Sequence, residues 1–369
     1  MKIGIDISQI IYEGTGVARF VNGLTHNILS HDRSNQWTFF FSSLRQGVSP
    51  SLKKEIQVKD HRLVEIKLPP TALSFLWNRA HRLKVEKIIG PQDCFISSDW
   101  TEPPSLIPKI TIIHDLAYLK YPKTVHPLIR QTQQNRMRWV MKESSLIFAD
   151  SLSTKSDIED LLKIDGHKIV ANYPGVDIIN PKQDTLQKVK AKYKLNKKFI
   201  LSVGKIEPRK NIQGLITAYT NLKQDDVDLV VVGHQGWDEA TALFKKRLNP
   251  HIHFLNYVSD LELPALYRAC LFFIYPSFYE GFGFPVAEAM KLGVATATSS
   301  TSSLREIGEN SCLLFDPHSI NKIQEAMNSL IHNPILRNRL ITSGLQKSKK
   351  FTWNNYYQIM TDSITNLIQ

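Results

Sequence analysis

The stretch that most constrains the fold runs from Leu271 to Gly293, reading Leu-Phe-Phe-Ile-Tyr-Pro-Ser-Phe-Tyr-Glu-Gly-Phe-Gly-Phe-Pro-Val-Ala-Glu-Ala-Met-Lys-Leu-Gly. Its apolar opening, Leu271 to Tyr275, reads as a buried strand. Pro276 ends the strand, a loop with Gly281 and Gly283 follows, and Pro285 opens a helix to about Leu292. A strand, a glycine loop and a helix in succession are the unit from which open parallel sheets are built. Such sheets bind ligands outside the carboxyl ends of their strands.

The unit recurs. Lys2 to Ile7 reads as a strand, and Glu13-Gly-Thr-Gly-Val-Ala-Arg-Phe20 follows as a glycine loop opening a helix to about Leu29. Trp37–Ser42, Arg62–Leu68, Ile110–Ile113, Ser144–Ala149 and Lys168–Ala171 read as further strands, with a helix over Val125–Lys142 and a capped helix from Asp150. The polar stretch Asn180–Lys198 reads as a connection between domains. Beyond it Phe199–Val203, Val227–Val232 and Ala295–Thr298 repeat the strand pattern, Ile252–Tyr267 reads as strand, turn and helix, and helices run from about Trp237 and over Ile320–Lys349. The chain has 369 residues, enough for two domains with cores of their own.

Several junctions carry chemistry. Glu280 lies in the glycine loop and Glu288 about one turn into the helix, with N–H groups from Phe282 to Phe284 at the helix start. A glycine turn flanked by two solvated acids is the alternative reading. The intervening aromatic and small residues suit a pocket wall better. Gly204-Lys-Ile-Glu-Pro-Arg-Lys-Asn211 gathers Lys205, Arg209 and Lys210 at one strand-to-helix junction, so an anion is implied there. His114-Asp115 follows a strand and so sits at a ligand edge. Asp226-Val-Asp228 has the spacing of a metal motif but leads into a strand and reads as a solvated turn.

Ala72 to Ile89 interleaves apolar and basic residues at roughly helical spacing. It reads either as a surface helix with its stripe in the core or as a helix touching an anionic membrane. A net charge of +12 favours anionic partners without choosing among nucleotide phosphates, lipids and nucleic acid. No RNA- or DNA-binding motif is present, and no apolar run reaches the ~20 residues of a membrane span. Met1 to Ile7 reads as a strand, not a signal peptide. Cys94, Cys270 and Cys312 are widely spaced, without metal-ligand pattern, and suit a reducing cytoplasm.

Glu280-Gly-Phe-Gly-Phe-Pro-Val-Ala-Glu288 resembles the E-x7-E signature of glycosyltransferase family 4. Both acids, both glycines, the Pro and Gly293 are in register. The resemblance implies a retaining, GT-B enzyme, α/β throughout, with two Rossmann-like domains facing across a cleft. Residues 1–175 with a terminal helix at 353–369 would form the first and 176–352 the second. It implies that Glu280 holds the donor sugar, with the N–H groups of Phe282, Gly283 and Phe284, and that Glu288 holds the ribose. The Glu207-Pro-Arg-Lys-Asn211 run is similar to the family segment whose Lys, here Lys210, binds the donor diphosphate. Arg209, Lys205 and Gly16 are candidates to share it. Ala18 stands where a second loop glycine is usual. His114-Asp-Leu116 resembles the segment whose His lies by the donor sugar, with Asp115 to orient it or receive the acceptor proton. Tyr257 and Val258 match a turn whose backbone contacts the nucleobase. Phe351-Thr-Trp353 resembles the start of a terminal helix that crosses back to the first domain.

Together these imply a cytoplasmic hexosyltransferase without metal or cofactor, its nucleotide sugar being a substrate. A saccharide or lipid-linked saccharide would be the acceptor, in surface polysaccharide assembly. Chains with both runs resemble bacterial polysaccharide mannosyltransferases, which favours GDP-mannose. A UDP-sugar-dependent glucosyl- or N-acetylglucosaminyltransferase, an epimerase or a phosphorylase are the enzymatic alternatives. A non-catalytic nucleotide or nucleic-acid binder is the alternative of another class.

Overall fold

The computed structural model describes residues 1–12, 14–234 and 249–369. Glu13 and the helix expected from about Trp237 lie outside them. The chain divides into two compact units, Met1–Gly175 with Thr352–Gln369, and Val176–Phe351.

The first unit holds a seven-stranded sheet in the order β3-β2-β1-β4-β5-β6-β7. Its strands are β1 (Lys2–Asp6), β2 (Gln36–Ser42), β3 (Arg62–Ile66), β4 (Cys94–Ser97), β5 (Lys109–Ile113), β6 (Ser144–Ala149) and β7 (Ile169–Ala171). All neighbouring pairs are parallel. Parallel strands are covered on both faces, which is why β5 reads Lys-Ile-Thr-Ile-Ile and is buried throughout. Chain order reverses between β1 and β4, so the crevice for a ligand opens at their carboxyl ends.

The helix Trp353–Ile368 belongs to this unit and starts on a Thr352 cap that accepts the Asn355 N–H. Its Trp353 ring meets Phe20 at 5.3 Å and Tyr356 at 5.8 Å between centroids. Gly23, inside the helix Gly16–His31, lies so close that a Cβ there would stand 2.2 Å from the indole. Gly tolerates this approach because it carries no Cβ.

The second unit holds a six-stranded parallel sheet in the order β10-β9-β8-β11-β12-β13. Its strands are β8 (Lys198–Val203), β9 (Val227–Val232), β10 (Ile252–Leu255), β11 (Phe272–Tyr275), β12 (Thr296–Ser299) and β13 (Leu313–Phe315). Order reverses between β8 and β11. Its core gathers Leu215 and Tyr219 from the helix after β8, Leu229 and Val231 of β9, Phe272 and Ile274 of β11, and Met327 and Leu330 from the helix Ile320–His332.

Three expectations need correction. Ala72–Ile89 is not one amphipathic helix: it breaks into Pro70–Ser74, a π-turn over Phe75–Arg79 and Glu86–Ile89, with His81 and Leu83 at positive φ. Its apolar positions Leu73, Trp77, Val85 and Ile89 are buried in a core with Phe40 and Phe95, which removes the stripe a membrane helix needs. The stretch Asn180–Lys198 is not a bare connection. It carries the helix Gln183–Lys192, which packs in the second unit on Leu263–Ala269, with Lys192 paired to Glu262 at 2.6 Å. Asp228 is no solvated turn residue: it is buried in β9 between His251 (3.0 Å) and His253 (2.9 Å).

Candidate active site

In the second unit, the loops leaving β8 and β11 meet at the point of strand-order reversal. After β8 the chain passes Gly204 and enters the short turn Pro208–Lys210 before the helix Ile212–Leu222. After β11 it forms the glycine loop. The loops are laced together: Phe278 N–H donates to the Arg209 carbonyl at 2.9 Å, and Arg209 Nη1 donates to the Tyr279 carbonyl at 2.6 Å.

Glu280 is the centre of this cluster. Its Oε1 accepts from Lys210 Nζ at 2.5 Å, Ser277 Oγ at 2.6 Å and Tyr275 Oη at 2.9 Å, and its Oε2 accepts from Arg209 Nη1 at 3.0 Å. Burial pushes this carboxyl up, but Lys210 and Arg209 outweigh burial and bring it down to about 2. Burial and the adjacent Arg209 guanidinium push Lys210 below the usual lysine range, against the pull of Glu280 and Glu207. Burial and Glu280 lift the Tyr275 phenol well above its ordinary value.

The crowded cations thus find their anion inside the chain. Glu280 takes Lys210 and Arg209, and Glu207 takes Arg209 at 3.0 Å. The inference that crowding alone implies a bound anion is corrected accordingly. Lys205 is different: it is exposed and makes no ion pair with a described residue.

The loop is clamped from the other side by the hydroxyl run Thr301-Ser-Ser303. Ser302, at a φ of 49°, accepts the Glu280 N–H at 3.0 Å, and Ser303 Oγ faces the carbonyls of Glu280 (2.8 Å) and Phe282 (2.9 Å). Gly283 caps the helix Phe284–Lys291 at a φ of 104°, where a Cβ would stand 2.6 Å from Leu304. Pro285 carries no N–H, and the Val286 and Ala287 N–H groups donate to the Gly283 carbonyl at 3.0 and 3.2 Å, so the helix start presents chiefly the Phe284 N–H. Phe282 is buried against Phe284 and Phe351, so its side chain serves the core and only its backbone faces the junction chemistry. Glu288 is buried on the same helix and accepts from Tyr267 Oη at 3.2 Å. Tyr257 is exposed and stacks on His234, with ring centroids 5.4 Å apart, while Val258 is buried.

In the first unit, His114 stands at the carboxyl end of β5. Its Nδ1 lies 2.7 Å from Asp150 Oδ2, at the end of the neighbouring β6. Asp115 does not orient the ring: its Oδ1 accepts the Ala117 N–H at 2.9 Å and shapes the turn that follows. A small pocket at the β1/β4 reversal is lined by Asp6, Phe20, Ser98, Asp99 and His114, with room for about one water-sized group. Gly16 is exposed in the first turn of its helix, behind a Thr15 cap that accepts the Ala18 N–H.

Sequence reasoning missed Asp150, Tyr275, Ser277 and the Thr301–Ser303 clamp. Asp150 was legible as an acid directly after an apolar strand, but Ser151 is the residue that caps the helix Leu152–Leu162. Among the described residues, no three His, Cys, Asp or Glu side chains form a group that could hold a metal ion.

Two parallel-sheet Rossmann-like units, each with polar side chains at its order reversal, define a GT-B glycosyltransferase fold. Sucrose-phosphate synthase from Thermosynechococcus elongatus superposes with a TM-score of 0.77 over 100% of this chain and 99% of its own, at 16% identity. The family model for glycosyl transferases group 1 matches residues 183–347. O-antigen chain mannosyltransferase B of Escherichia coli is 31% identical over 256 residues, 67% of each chain. The chain belongs to the group 1 glycosyltransferases. Serotype-specific mannosyltransferase WbdA of Escherichia coli is 30% identical over 274 residues, and the chain covers 34% of that protein's length.

Proposed function

We propose that this glycosyltransferase moves mannose from GDP-mannose, with retention of configuration, to a saccharide or lipid-linked saccharide during surface polysaccharide assembly, as a family 4 enzyme acting without a metal. One observation carries the sugar assignment: two thirds of the chain aligns at 31% identity with a mannosyltransferase of O-antigen chains. Activity, substrate and partners of the longer relatives are part of this proposal, since the chain spans about a third of WbdA.

In this reading the departing diphosphate gathers negative charge as the glycosidic bond breaks. Lys210 and Lys205 meet it, with the N–H groups after Gly204. Binding of the nucleotide sugar draws Lys210 and Arg209 partly off Glu280, which frees that carboxylate for the sugar hydroxyls. Glu288 takes the ribose, the backbone at Tyr257 and Val258 takes the base, and His114 supports the sugar. Preorganised cations of this kind supply about 3–4 kcal/mol each at the transition state. Peripheral contact with an anionic membrane on the cytoplasmic side rests on the net charge of +12 alone. Among the described residues no helix is long and apolar enough to cross a membrane.

The test offers labelled GDP-mannose, UDP-glucose and UDP-N-acetylglucosamine in parallel with mannose-terminated oligosaccharides. Transfer from GDP-mannose alone, giving an α-linked product by NMR, is the expected result. Transfer from a UDP-sugar instead sinks the mannose assignment, and an inverted linkage sinks retention.

A further inference from the structure

We propose that Asp150 is a positioning residue that holds His114 as a doubly protonated imidazolium, so that this histidine serves as a charged hydrogen-bond donor and not as the base that takes a proton from the acceptor. The donor role in sugar transfer rests on the glycosyltransferase reading above, whereas the charge state rests on the first unit alone.

The geometry carries it. Asp150 is buried, and its other oxygen, Oδ1, has no hydrogen-bond partner. Its recorded contact is the 2.7 Å bond from His114 Nδ1. A buried carboxylate with one partner is costly unless that partner is charged. Burial, with Asp115 and Asp99, pushes the Asp150 carboxyl above its ordinary value against the pull of His114, so the alternative of a neutral acid beside a neutral ring is disfavoured by placement and not by burial. Asp150 directly precedes the Ser151 cap, so the positive end of the helix Leu152–Leu162 favours its anion.

The other acids around the ring act in the same direction. Asp99, after β4, and Asp115, next in sequence, both favour the charged ring, and Asp6, the last residue of β1, lines the same pocket. A buried cation nearby, Arg136 of the helix Pro127–Glu143, donates to the Ile112 carbonyl at 3.0 Å and interacts with Asp99 and Asp6, which tempers their pull on the ring. Helix Gly16–His31 presents the Phe20 edge at 4.6 Å, and helix Trp353–Ile368 presents Tyr356, whose buried phenol is lifted well above its ordinary value by burial and by Asp150. Burial pushes the imidazolium down, yet Asp150 outweighs it and lifts His114 to about 9. With Nδ1 committed to Asp150, Nε2–H remains for a ligand oxygen, and no described group accepts from it. Asp99 Oδ1, buried and unpaired on the same pocket, is the complementary acceptor. A hydroxyl that accepts from His114 and donates to Asp99 fits the space.

The test is side-chain NMR of the full chain, with the His114 resonances assigned by comparison with His114→Gln and followed from about pH 5 to about pH 10. His114 should titrate near 9 in the wild type. Asp150→Asn should lower that value by about two units or more, Asp150→Glu should restore most of it, and Asp115→Asn should leave it within about half a unit. The alkaline limb of sugar transfer should move down in Asp150→Asn alongside the resonance, with kcat reduced roughly tenfold or more. A wild-type His114 titrating at or below its ordinary 6.5 overturns the proposal even if Asp150→Asn does not fold. So does an Asp150→Asn titration equal to the wild type, or a limb that stays put when the resonance moves. If no donor is ever turned over, the glycosyltransferase reading fails while the NMR result still decides the charge of His114.

Discussion

Lys210 and Glu280 stand 70 residues apart in sequence, and Nζ of one lies 2.5 Å from Oε1 of the other. The pair spans the carboxyl ends of β8 and β11, where strand order in the second sheet reverses. In the proposed reading, the cation that meets the diphosphate is stored on the carboxylate that meets the sugar. Each keeps the other charged, aimed and soluble within a buried site.

Lys210→Ala removes the stored cation. If Lys210 supplies about 3–4 kcal/mol to the transition state, turnover should fall by roughly two to three orders of magnitude. Steady-state kinetics with saturating donor measure it, and a loss under about threefold contradicts the assignment.

Glu280→Gln leaves Lys210 and Arg209 buried without their shared carboxylate. Removing one partner of a buried pair costs about 3–5 kcal/mol, so urea midpoints should fall well below those of the wild type. The pH dependence carries the same sign. Glu280 has its folded pKa lowered from 4.5 to about 2, so its stabilisation is complete above 4.5 and is lost as pH falls through about 2. Glu280→Gln should flatten that acid loss. Parallel acid profiles in the two proteins contradict the pairing.

Gly23→Ala should destabilise the first unit although alanine is the better helix former by about 1 kcal/mol. The added Cβ would fall 2.2 Å from the Trp353 indole, which is packed on Phe20 and Tyr356 and has little room to give. Thermal unfolding with Trp353 fluorescence as one probe reads this. A raised Tm shows that the terminal helix docks otherwise.

Most strands were legible because parallel strands are apolar on both faces, but the short strands Cys94–Ser97 and Leu313–Phe315 were not read. Runs such as Leu229-Val-Val-Val232 carry no competing period. Ala72–Ile89 misled for the opposite reason. Trp77 and Ile89 fit a helical period, but the left-handed residues His81 and Leu83 break the helix between them, and neither is a Gly that would signal it. In the site, Glu280, Lys210, Arg209 and His114 stood out by residue type at strand ends. Their partners did not, because pairing across a sheet joins residues such as His114 and Asp150, which are 36 positions apart. A serine clamp such as Ser302 on the Glu280 N–H leaves only a hydroxyl-rich run, which in sequence looks like any loop.

The central claim is that the β8/β11 junction binds the diphosphate of a nucleotide sugar. The most direct measurement is isothermal titration of GDP, UDP, dTDP, CDP and ADP into the wild type, Lys210→Ala and Glu288→Ala, with thermal unfolding alongside. One nucleotide should bind the wild type, add about 2.7 kcal/mol of stability at a hundredfold excess over its Kd, and bind both variants more weakly by tenfold or more. Equal affinity in all three proteins, or no affinity for any nucleotide or its sugar conjugate, contradicts the account.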